Sequence, residues 1–146
     1  MTVQTLLCDA DIERIARGFM DRSLAKAEWT HAAHFGTVLW LIQRGSHSPL
    51  ELHLPGLIRA YNVSVGGVNS DTEGYHETIT QASLRAARRV MIGHAAATPL
   101  SRILTGLMSG PLGRSDWILT YWSRERLFSV PARRGWVEPD LQRLPF

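Results

Sequence analysis

A chain of 146 residues, 45% hydrophobic and 20% charged, is long enough for one domain with a sizeable core and too short for two of ordinary size. Those fractions exclude disordered and fibrous classes, and the longest nearly apolar stretch, residues 32–42, falls well short of the ~20 residues a membrane span needs. The formal charge of +3, carried by fifteen Arg and one Lys (Lys26) against thirteen acidic residues, is modest and scattered, so it suits an anionic small molecule as readily as a nucleic acid.

The opening MTVQTLLCDADIER has no basic segment, and its short apolar run meets Asp9, Asp11 and Glu13 at once. No export signal is read there, and a soluble, cytoplasmic protein is expected. The single cysteine, Cys8, has no disulfide partner and no C-x-x-C neighbour, and reads as a partly buried small apolar residue. Asp9 or Asp11 caps a first helix to about Arg22, with Ile12, Ile15, Ala16, Phe19 and Met20 on one face. Ser23 opens a second and longer helix, about 24–44, ended by Gly45. Ser48-Pro49-Leu50-Glu51 is a strong start signal for a third, which Pro55 is expected to break or kink before it runs on to 64.

After a loop at 64–70, Asp71 or Thr72 caps a fourth helix to about Ala97. Thr98-Pro99 starts a fifth, ending near Gly110-Pro111, and Ser115-Asp116 starts a shorter sixth through Trp122. One more turn follows Ser129-Val130-Pro131, then an irregular tail at about 135–146. Nothing alternates with a period of two for long enough to build a sheet. The reading is an all-α helical bundle of four main helices with additional short ones, in a single domain over 1–146.

Two histidine-bearing segments carry most of the chemical information. Within 28–34, Glu-Trp-Thr-His-Ala-Ala-His, helical spacing puts Glu28, His31 and His34 on one face that continues through apolar Val38, Leu41 and Ile42. From His76 a second face runs through Thr80, Ser83, Ala87, Val90 and His94, small and partly polar, as the lining of a cavity would be. Short loops make consecutive helices alternate in direction, so the second and fourth run parallel with their first turns at one end of the bundle. His31 then lies ~10 Å and His76 ~6 Å from the start of its helix, at similar depth. Three inward imidazoles at one level suit a divalent transition metal (zinc, iron, nickel or manganese) and leave a coordination position for water or substrate.

A second arrangement competes with this one. Glu28-x-x-His31 and Glu73-x-x-His76 share the spacing of di-iron carboxylate bundles, with Glu13 and Glu51 in the right chain order to complete an oxygen-activating site. A metal-free pocket that binds a small molecule or a partner is the third reading. In the segment 121–129, Arg124 or Arg126 is a candidate grip for an anionic group, set against pairing with Glu125, Glu138 or Asp140.

Three segments together resemble a family of small bacterial proteins: Trp29-Thr30-His31-Ala32-Ala33-His34, Gly74-Tyr75-His76-Glu77-Thr78-Ile79-Thr80, and Tyr121-Trp122-Ser123-Arg124-Glu125-Arg126-Leu127 with Trp136-Val137-Glu138-Pro139-Asp140-Leu141. The resemblance implies no activity. It implies that His31, His34, His76 and Glu77 belong to the motifs, whereas Glu28 and Glu73 fall outside them, which favours three histidines over the di-iron site.

The expectation is a mononuclear metal site of His31, His34 and His76 in a hydrolase, lyase or isomerase. The metal lowers the pKa of a bound water or polarises a substrate oxygen. Glu77 or Glu28 serves as base or as the partner orienting an imidazole. Tyr75 and Thr80 shape the pocket, and Arg124 or Arg126 holds an anionic group. The expected partner is a small molecule; no membrane or nucleic acid is expected, and a homodimer is left open.

Overall fold

Apolar residues at helical spacing, punctuated by Gly and Pro, produce helices and, among the described residues, no strand. The computed structural model describes residues 6–45 and 47–146; residues 1–5, part of the opening used for the export expectation, and Ser46 lie outside the described residues. Five helices reach ten residues or more: α1 (Asp9–Asp21), α2 (His31–Arg44), α3 (Leu50–Ser64), α4 (Glu77–Ile92) and α5 (Leu100–Ser109). Two short ones follow, α6 (Arg124–Leu127) and α7 (Val130–Arg134), and 3-10 turns occupy Lys26–Glu28, Pro111–Gly113 and Trp117–Thr120. The all-α bundle is therefore what forms. None of the described helices is long and apolar enough to cross a membrane.

α2 is the central rod. Its residues Phe35, Val38, Leu39, Trp40 and Leu41 are buried, and it packs against α1, α4 and α5. One core cluster links Ile12, Ile15 and Phe19 of α1 with Leu54 and Tyr61 of α3, Leu84 of α4 and Ile103 and Leu107 of α5.

Three element starts and the course of α3 differ from the sequence reading, each for an identifiable reason. Cys8, not an aspartate, caps α1: its backbone N–H donates to Asp11 at 3.1 Å, and its side chain is exposed rather than partly buried. The long helix expected from Ser23 begins instead at His31. Ser23 is held by the Asp21 carboxylate, a 3-10 turn follows at Lys26–Glu28, and Thr30 makes the true cap by accepting the Ala33 N–H at 3.2 Å. Trp29 then wedges between Phe19 and Tyr61, with ring centroids at 4.6 and 5.2 Å. Glu28 thus lies outside α2 and does not share a helical face with His31 and His34.

Pro55 does not divide α3. A proline here leaves the Glu51 carbonyl without its helical donor, and the Gln81 side-chain amide of α4 donates to that carbonyl at 3.0 Å. α4 starts at Glu77, several residues later than Asp71 or Thr72 suggested, because the chain first closes a loop. Gly74 has φ +81°, and a Cβ there would collide with the Val68 carbonyl oxygen. The Tyr75 N–H donates to Asn69 Oδ1 at 3.0 Å, and the same oxygen accepts from Asn62. α4 ends at Ile92, before Gly93, rather than at Ala97.

The tail lacks regular structure but is firmly tied down. Trp122 donates from its indole to the Val137 carbonyl, Arg126 to the Glu138 carbonyl, and Leu141 N–H to the Tyr121 carbonyl. Asp140 accepts from both the backbone and the hydroxyl of Ser123, the residue that caps α6.

Candidate functional site

The first turns of α2 and α4, the inner face of α3 and the 115–128 segment do not close on one another. They stand around a cavity of about 610 Å3. Its apolar wall includes Phe35, Leu54, Ile58, Ile79 and Trp117. Each of the three segments singled out in the sequence reaches it: Trp29, His31 and His34 from the first, Tyr75, His76 and Thr80 from the second, Arg124 and Leu127 from the third. A mainly apolar concavity of this size, with a few polar groups, has the properties of a small-molecule site.

The three histidines border this cavity but do different jobs. His76 stands just before α4 and caps it: its Nδ1 accepts the Ile79 N–H at 3.2 Å. That fixes the proton on Nε2, which donates to the Leu127 carbonyl at 2.7 Å. Both ring nitrogens are committed, and burial lowers its pKa. His31 donates from Nε2 to the Leu112 carbonyl at 2.7 Å and meets Phe35 edge-on. His34 differs from both. It leans over Trp29 with ring centroids 4.2 Å apart and has no hydrogen-bond partner among the described residues.

His34 keeps accessible surface, and that surface opens onto the cavity. The surrounding protein desolvates the ring, and together with nearby His31 this pushes its pKa down to about 4. It is a neutral imidazole at physiological pH.

These contacts do not assemble the expected three-histidine metal centre. His76 has no lone pair left to offer while it caps α4, and among the described residues no group of three or more His, Cys, Asp or Glu is arranged to hold a metal ion. The expectation placed His76 within a helix, where its side chain is free; one position before a helix, the backbone claims it. Nor is the di-iron arrangement assembled. Glu13 pairs with Arg17 at 3.0 Å, Glu28 with Arg14 at 3.0 Å and Glu51 with Arg88 at 2.9 Å, while Glu73 lies in an exposed loop. These carboxylates are dispersed over the surface.

The proposed bases also have other partners. Glu77 accepts from Tyr75 Oη at 3.2 Å and from Gln81 at 2.6 Å and does not border the cavity. Glu28 borders a second cavity of about 690 Å3 on the other side of His31. Tyr75 lines the main cavity under Arg59, whose guanidinium lies 4.2 Å from the ring centroid; burial pushes its hydroxyl pKa well up. Thr80 lines it too, but its hydroxyl donates to the His76 carbonyl at 2.8 Å. Arg126 is spent on the tail, whereas Arg124 is exposed and touches the rim.

One residue went unnoticed in the sequence. Thr37 is 1% exposed, lines the cavity, and its hydroxyl has no hydrogen-bond partner among the described residues. It lies one helical turn after His34, on the same face of α2. A threonine in an apolar helix reads as filler, and the only signal was its spacing of three from His34. No protein-family model matches the chain, no curated protein matches it, and no solved structure matches it.

Proposed function

We propose that this protein binds a small molecule in the 610 Å3 cavity, with His34 as a polar contact. One observation carries the reading: the His34 imidazole, with no hydrogen-bond partner among the described residues, opens onto a largely apolar space. The meeting of all three motif segments at this space supports the same reading. The metal-dependent hydrolase, lyase or isomerase chemistry needed His76 as third ligand, and freeing it would strip α4 of its cap.

Filling the space tests the proposal. Ile58 is half-buried on the cavity wall, so Ile58→Trp is expected to fold while weakening the binding of naphthalene at least tenfold, read by calorimetric titration. Undiminished binding by the filled variant would contradict it.

A further inference from the structure

Resting on the cavity as the ligand site, we infer that its ligand is an amphipathic monoanion: an apolar ring body inside, with a carboxylate at the rim held by the Arg124 guanidinium. The charges at the opening carry the assignment. Asp116 and Arg124 are the acidic and basic side chains that border the cavity, and both are exposed. Asp116 is already engaged, since Arg114 donates to its two carboxylate oxygens at 3.1 and 3.3 Å. The guanidinium of Arg124 has no hydrogen-bond or ion-pair partner among the described residues. The Arg114 bond holds the Asp116 carboxyl below its usual range and the Arg124 charge adds to the effect, so two guanidiniums attend one carboxylate. The opening carries one positive charge in excess.

Further in, nothing answers a charge. His34 is a neutral imidazole, and His76 spends both ring nitrogens on backbone. A carboxylate carried that far would lose its hydration without a counterion. The apolar body therefore occupies the interior, among Trp29, Phe35, Trp117 and Leu54, while the charge stays at the mouth, where water and Arg124 both reach it. A guanidinium presents paired N–H groups that the two oxygens of one carboxylate accept together. One cation in excess suits one negative charge. A more highly charged anion would need further cations, and Arg126 is bonded to the Glu138 carbonyl and Arg133 to the Gly74 and Tyr75 carbonyls. An ammonium is disfavoured in turn, because Asp116 is taken by Arg114, and Glu77 by Tyr75 and Gln81.

Four probes with one ring system separate the possibilities: naphthalene, 2-naphthamide, 2-naphthoate and 2-naphthylmethylammonium, titrated into the intact protein at pH 7.5 and low salt and read by calorimetry. Naphthoate is expected to bind about fivefold more tightly than the amide, the worth of one partly solvated ion pair, and the ammonium more weakly than either. Arg124→Gln is expected to bring naphthoate down to the level of the amide. Arg102→Gln removes an equal charge from an exposed position of α5 that does not border the cavity, and is expected to leave the preference intact. Naphthoate no tighter than the amide, a preference that survives Arg124→Gln or is lost equally in Arg102→Gln, or an ammonium that binds tightest overturns the inference, while naphthalene binding leaves the cavity reading standing. Failure of all four probes overturns the cavity reading itself.

Discussion

At position 76 a single imidazole joins two pieces of backbone. Its Nδ1 supplies the acceptor that the first turn of α4 lacks, and its Nε2–H reaches the last residue of α6. His76→Ala removes both bonds, and the expected loss is about 2 kcal/mol, the sum of a lost cap and a buried carbonyl left unpaired. His76→Asn restores the cap but not the reach to Leu127, so about half the loss returns, measured by urea unfolding. Equal stability in all three proteins would show that the ring holds neither element.

The histidines also set an acid limit. Desolvation by the surrounding protein, with nearby His31, holds the His34 pKa down to about 4, and burial lowers that of His76, against an ordinary value of 6.5 in the unfolded chain. Between the folded and unfolded values the unfolded chain binds protons that the folded chain refuses. Stability from these groups is therefore full above pH 6.5 and falls as the pH drops from 6.5 toward 4. Burial is the largest influence on His76; Arg133 adds to it, while the bond to the Leu127 carbonyl and Glu77 oppose it. Denaturation at pH 7.5, 6 and 5 is expected to show a progressive loss, reduced in His34→Gln; a flat profile over that range would contradict the desolvation of these rings. Sequence spacing did place His31, His34 and His76 around one space. It missed that a residue one position before a helix is claimed by the backbone first, which turned an expected ligand into a cap.

At the scale of elements, the bundle was legible because apolar periodicity and the Pro and Gly signals survive in almost any environment. The starts of α2 and α4 were not, since the sequence there offers several adequate caps and tertiary contacts choose among them. Ser23 looked sufficient until Asp21 took it, and Thr30 won because Trp29 is anchored against Phe19 and Tyr61. Pro55 was expected to break α3 because nothing local replaces the lost N–H; the replacement comes from α4, thirty residues on. This makes a testable coupling. Gln81→Ala is expected to cost about 1 kcal/mol in the native chain, leaving the Glu51 carbonyl unpaired. In a Pro55→Ala background the helix regains its own N–H donor to that carbonyl, and the same change should cost at least ~0.5 kcal/mol less. Strict additivity in this double-mutant cycle would mean that the amide of Gln81 does not serve that carbonyl.

For the molecule as a whole, the candidate site is a by-product of where packing stops. α1, α2, α3 and α5 share a filled core, while the first turns of α2 and α4 remain separated by a space that the 115–128 segment and its strapped tail complete. The candidate polar contact, His34, sits on α2, a helix packed against α1, α4 and α5 that holds it in place. Imidazole-ring NMR of the histidines, recorded while naphthalene is added at pH 7.5, examines the central claim most directly. The expected result is that the His34 ring nitrogens shift with the titration while His76 keeps its proton on Nε2 and its resonances stay fixed. A His34 ring that does not respond, or a His76 ring that does, would contradict the placement of the ligand.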